Sequence, residues 1–202
     1  MTDTIAQLEF DLDGCDKEGV GQRLDSRGVS PSLLEAAFLV RSKFGRINDI
    51  VHAASISLAL PELLDDGEIL KRPSLAAGND PTRPFDVETD RRVAEFKLAQ
   101  WLGNDTARKN QLFKDFVQLA AAPPHLKAEL YVLGDRPSRY LKSKVVTVET
   151  ALSSFPQVAE LFSEHFGNLD TSISDFALGP GTRVEVIDLQ VRLPHLFATP
   201  AP

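Results

Sequence analysis

The sequence predicts an α/β domain with a central mixed β-sheet flanked by helices. Three observations predict it: apolar residues at helical spacing early in the chain, two short alternating runs joined by a polar turn, and a capped amphipathic helix leading into a strand of buried type. The order helices, hairpin, helix, strand, helix, strand is most simply housed by one sheet with helices on both faces. At 202 residues the chain suits one domain with a sizeable core rather than two domains plus linkers, so residues 1–202 are read as a single domain.

Residues 1–29 are polar, acidic and rich in Asp and Gly; apart from the alternation from Ile5 to Phe10 they read as a weakly ordered lead-in. Ser30-Pro31 then combines an N-cap with a first-turn proline, and Leu33, Leu34, Ala37, Phe38 and Arg41 follow helical spacing up to Gly45. A second helix begins at Asn48 or Asp49, presents Ile50, Val51, Ala54, Leu58 and Ala59, and is expected to end at Pro61. Residues 65–82 read as a loop. Phe85 to Glu88 and Val93 to Ala99 alternate around the turn Thr89 to Arg92, which predicts a β-hairpin. Asn104 or Asp105 caps a helix carrying Leu112, Phe113, Phe116, Val117 and Ala120, and Pro123-Pro124 ends it. A strand over residues 128–133, a small helix near 138–142, a strand at 145–148, a helix at 157–166 and a strand over 183–192 complete the prediction.

Charge adds a functional hint. The net charge of −7 argues against a protein that coats nucleic acid by bulk electrostatics. Yet residues 83–144 hold 12 basic residues against 8 acids, a balance of +4, which leaves −7 − 4 = −11 for the remainder. No apolar run approaches the roughly 18 residues of a membrane helix, and the start lacks a basic region followed by an apolar core, so neither a membrane span nor a leader is expected. The lone Cys15 fits a reducing, cytoplasmic setting. There is no phosphate-binding glycine loop, dinucleotide fingerprint or Ser/His/Asp arrangement, and the histidines have no metal-ligand spacing; His52 reads as a core or interface residue.

The hairpin carries the chemistry. With its turn centred on Asp90-Arg91, opposed residues sum to 181, placing Asp86 opposite Glu95, Val87 opposite Ala94 and Phe85 opposite Phe96. Asp86, Glu95 and Lys97 then project from one face, and Phe85, Val87, Ala94 and Phe96 from the other. Opposed carboxylates repel unless something positive lies between them. A hard dication such as Mg²⁺ or Mn²⁺ suits two carboxylates, and Lys97 reaches the same spot to orient a water or stabilise a phosphoryl oxygen.

Pro84-Phe85-Asp86, followed nine residues on by Glu95-Phe96-Lys97 and then by a helix, resembles the PD-(D/E)xK phosphodiesterase superfamily of restriction-endonuclease-like proteins. The run RVAEFKLAQW, the helix ARKNQLFKDFVQLA and the strand AELYVLG match its strand, helix, strand core, about residues 83–134. One departure is that Phe85 separates the proline from Asp86, a proline the family keeps only loosely. The resemblance implies a restriction-endonuclease-like fold and a metal-dependent nuclease, with Asp86 and Glu95 holding Mg²⁺ or Mn²⁺ and Lys97 as catalytic lysine. It also offers Glu35, on the first helix, as an extra acidic ligand.

Around that centre, Gln100 is a candidate cleft residue, and Arg108, Lys109 and Gln111, at a helix start, are candidate phosphate contacts. Arg136, Arg139, Lys142 and Lys144 extend the track around Tyr140. The expected partner is nucleic acid, DNA before RNA, with a protein partner or homodimer left open. The competing reading is a non-catalytic interaction or immunity protein built on the same scaffold.

Overall fold

A computed structural model describes residues 17–32, 51–75, 84–99, 101 and 106–197. Two compact units divide the chain, residues 1–48 and 49–202. The predicted strand at residues 5–10, Cys15, most of the first predicted helix with Glu35, and Gln100 all lie outside the described residues.

In the first unit, α1 (Lys17–Ser26) is a helix where a weakly ordered lead-in is expected. Its one apolar pair, Val20 and Leu24, is too slight a stripe to mark a helix by periodicity. What marks it is the stop. Gly28 adopts φ +67°, its N–H donates to the Asp25 carbonyl at 3.1 Å, and Val29 N–H donates to Leu24 at 2.9 Å. This pair of bonds closes a helix C-terminus through a left-handed glycine.

The second unit is built on a five-stranded mixed sheet of order β1-β2-β3-β4-β5. Strands β1 (Leu70–Pro73), β2 (Val87–Thr89) and β3 (Arg92–Lys97) pair antiparallel in succession, whereas β4 (Lys127–Val132) and β5 (Val184–Asp188) continue parallel to β3. Val87 pairs with Ala94 and Glu88 with Val93, the register that the sequence predicts. Thr89 fixes the turn, its hydroxyl accepting the N–H groups of Arg91 at 2.9 Å and Arg92 at 2.8 Å.

Helices cover both faces. On one side lies α2, helical over 51–63 among the described residues, whose Ile56, Ala59 and Leu63 pack on Val87, Ala94, Phe96 and Tyr131. On the other lies α3 (Thr106–Ala120), whose Leu112, Phe113, Phe116 and Val117 pack on Val93, Leu130 and Val132. Between β4 and β5 the chain forms α4 (Arg136–Leu141), α5 (Val148–Leu152), α6 (Pro156–Phe166) and α7 (Ile173–Leu178), which extend the α3 side. After β5 come α8 (Leu189–Arg192) and α9 (Pro194–Phe197). No described helix is long and apolar enough to cross a membrane.

Several elements differ from expectation for identifiable reasons. Pro61 does not end α2: residues 61–63 remain helical and Leu64 N–H donates to the Leu60 carbonyl at 3.0 Å. The loop-like 65–82 segment contains β1, an edge strand, where Pro73 is tolerated because one side needs no ladder partner. The expected strand at 145–148 is absent. Thr147 instead caps α5, its hydroxyl accepting Thr150 N–H, and touches Ser172 only through an isolated bridge. The alternation over 183–192 breaks at Asp188, whose side chain accepts Gln190 N–H and starts α8. The turn Gly179-Pro180-Gly181 leads into a short 3₁₀ helix, Pro180–Arg183. A side chain at Gly181 would fall 2.7 Å from the Phe116 ring, so glycine is what lets this turn press on α3.

Candidate active site

The parallel strands β3, β4 and β5 end together at Lys97, Val132 and Asp188, the edge of a sheet outside which α/β proteins place ligands. Strand alternation sends Val93, Glu95 and Lys97 towards α3, in register with Ala128, Leu130 and Val132. The Lys97 ammonium lies 2.6 Å from Glu95 Oε1 and 2.5 Å from Asp115 Oδ2. Asp115 is also held by Lys114 at 2.7 Å and by the Gln111 amide, which donates at 3.3 Å.

Asp86 stands just outside the ladder, because residues 85–86 bend away before β2 begins. Its carboxylate accepts Phe96 N–H at 2.8 Å, satisfying a backbone donor that the broken ladder would leave unpaired. Its own N–H donates to Glu95 at 3.3 Å, and His52 Nε2 on α2 approaches its other oxygen at 3.3 Å. The same bend turns Phe85 towards the α3 core, not the α2 face that strict alternation predicts.

The electrostatics follow from this crowding. Burial pushes the Glu95 carboxyl up to about 7, with Asp115 and Asp86 adding to the rise while Lys97 opposes it. Burial pulls the Lys97 ammonium down, but Glu95 and Asp115 outweigh it and hold the group above the usual lysine range. The hydrogen bond with Asp86 raises His52 above its ordinary value, against burial. Lys97 therefore stays a cation and a donor, whereas Glu95 sits where it can exchange a proton near neutrality.

Asp86, Glu95 and Lys97 thus lie together with two residues that the sequence reading did not single out as partners. Asp115 is one. Positions 108, 111 and 115 share a flank of α3, beside the apolar arc, so a carboxylate at the rim of that arc is the signal that points to it. His52 is the other; its place on a core-facing helix conceals an inward polar contact. Asp86 and Glu95 are hard oxygen donors of the kind that Mg²⁺ and Mn²⁺ take, and a dication beside them would oppose the burial and the repulsion that raise Glu95. Among the described residues, no group of three or more His, Cys, Asp or Glu side chains forms a ready cage. Two carboxylates are a small donor set, of the kind taken only by an ion that keeps most of its waters.

A cleft of about 210 Å³ opens beside Lys97. Leu98, Ala99, Trp101 and Leu112 form its apolar lining, and Arg108 and Gln111 its polar one. Lys109, by contrast, places its ammonium 5.9 Å from the centre of the Tyr140 ring. Arg139 is an exposed partner of Asp135 at 2.9 Å. The basic island is also partly neutralised by folding. Arg92 is buried between Glu68 at 2.6 Å and Glu129 at 2.9 Å, and Lys127 binds Asp65 at 2.5 Å. Compared with protein-family models, curated proteins and solved structures, the chain has no match.

Proposed function

We propose that this protein is a metal-dependent nuclease of restriction-endonuclease-like fold, acting at the carboxyl end of β3. The observation that carries the reading is the Glu95, Lys97 and Asp115 cluster beside Asp86, at the edge of a mixed sheet. Asp86 and Glu95 would hold Mg²⁺ or Mn²⁺. When bound, that ion supplies positive charge to the phosphoryl group and acidifies a water for attack on phosphorus.

The chain's own residues do the remainder. Lys97, kept protonated, donates to a phosphoryl oxygen as charge builds there. Asp115 positions Lys97, held in turn by Lys114 and Gln111. His52 and Phe96 N–H orient the Asp86 carboxylate. Arg108, lining the adjoining cleft, brings a further cation to the phosphate backbone. DNA is the favoured substrate.

Incubation of linear, circular and single-stranded substrates with Mg²⁺ tests the reading. Cleavage is expected from the natural protein and none from Asp86→Ala or Lys97→Ala, both folded by circular dichroism. Full cleavage by either variant overturns the site assignment. The saturation of Lys97 by two carboxylates favours one alternative, a non-catalytic binding protein on the same scaffold. Absence of cleavage on every substrate selects it.

A further inference from the structure

We propose that the cleft beside Lys97 is a subsite for one unpaired nucleobase, adjoining the phosphate to be cleaved, and that the preferred substrate is therefore a single strand or an unpaired end. The inference rests on the nuclease reading and adds the form of substrate to it.

Size is the first argument. At about 210 Å³ the cleft lies below the roughly 300–1,000 Å³ of pockets for drug-sized ligands. A space of that size suits one planar heterocycle better than a base pair. Chemistry is the second. Trp101 and Leu112, core residues 8% and 1% exposed, close the floor of the cleft, and Leu98 and Ala99 form its more open apolar side, so an apolar ring rather than a charged group suits the space. Gln111 brings an amide that both donates and accepts, and among the described residues its recorded bond, to Asp115, uses one donor. That leaves the amide capacity to meet the edge of a base.

Rigidity is the third. Trp101 is fixed by Arg136, which donates to its carbonyl at 2.7 Å, and by the Tyr140 ring, 5.9 Å between centroids. A wall held in this way loses little freedom when a base arrives. Finally, Lys97 belongs to the cleft and to the acidic cluster at once. A base seated there places its own backbone phosphate next to the Lys97 ammonium.

The test is fluorescence anisotropy with the full chain in Ca²⁺, using a labelled single strand of about twelve nucleotides, the same strand made abasic throughout, and the matching duplex. The natural protein is expected to bind the base-bearing strand at least fivefold more tightly than the abasic one, within the roughly 5- to 150-fold that one stacked base contributes. It should also bind that strand more tightly than the duplex. Ala99→Phe, at an exposed lining position, narrows the cleft and should erase the difference between the strands. Equal binding of both strands by the natural protein, no binding of either, or full discrimination by Ala99→Phe overturns the subsite. Cleavage in Mg²⁺ is scored separately. Cleavage without base-dependent binding removes the subsite and leaves the nuclease, whereas base-dependent binding that Ala99→Phe erases, without any cleavage, does the reverse.

Discussion

Replacing Glu95 by Gln should change how stability depends on pH. The Glu95 carboxyl moves from 4.5 in the unfolded chain to about 7 in the folded one. Between those values the folded protein binds a proton that the unfolded chain has released, so the free energy of unfolding falls as pH rises. The span is 7 − 4.5 = 2.5 pH units, and at 1.36 kcal/mol per unit it is worth about 3 kcal/mol. Two other groups bracket the effect. Glu68 is lowered to about 2, where Arg92 and Thr89 overcome its burial, so its stabilising effect is present above 4.5 and lost as pH falls through about 2. His52, raised by Asp86, favours the folded state below 6.5 and loses that effect as pH rises through its folded value. For these three groups taken together, the stabilising contribution is therefore greatest between the Glu68 and Glu95 windows. Urea unfolding of the natural protein and Glu95→Gln, followed by circular dichroism, isolates the Glu95 share. The stability difference between them should shift by about 3 kcal/mol, in favour of Glu95→Gln, from about pH 4 to about pH 8. The same difference at both ends would refute the claim that burial raises the Glu95 carboxyl on folding.

Three further outcomes are expected. Arg92→Met should cost about 3–5 kcal/mol in urea unfolding, because it strands Glu68 and Glu129, and adding Glu68→Gln should recover part of that loss. Gly181→Ala should cost about 1–3 kcal/mol, read as a lower thermal midpoint, since its methyl group meets the Phe116 ring and the Phe176 carbonyl; an unchanged midpoint would mean that the turn relaxes freely. Asp188→Ala removes the acceptor for both Gln190 N–H at 3.0 Å and Gly134 N–H at 2.9 Å, for a loss of about 1–2 kcal/mol that Asp188→Asn should largely restore.

The hairpin was legible because alternation, turn residues and opposed charges agree on one register, and α3 was legible because its apolar arc is broad. β1 was hidden, since Leu70–Pro73 has neither alternation nor β-branched residues and is held by pairing with β2. The 145–148 run has strand composition, yet Thr147 offers a cap and Val145 is 92% exposed, so local hydrogen bonding prevails over propensity. Within the site, strand alternation places Glu95 and Lys97 on one face, whereas Asp86 lies beyond the β2–β3 ladder and meets them through its bonds with Phe96 N–H and Glu95, which register does not encode. Asp115 and His52 enter only through the packing of α3 and α2 on opposite faces, a tertiary relation that strand periodicity does not encode. The basic island misleads for a similar reason. Asp65 and Glu68, distant in sequence, return to neutralise Lys127 and Arg92.

The central claim is that Asp86 and Glu95 jointly hold a dication, and a Mn²⁺ titration of thermal unfolding tests it most directly. At about pH 8, above the Glu95 value of about 7, the natural protein should gain about 2.7 kcal/mol at a hundredfold excess over Kd, on the order of 5–10 °C, while Asp86→Asn stays flat. A natural protein that does not respond, or an Asp86→Asn variant that responds equally, would contradict the account.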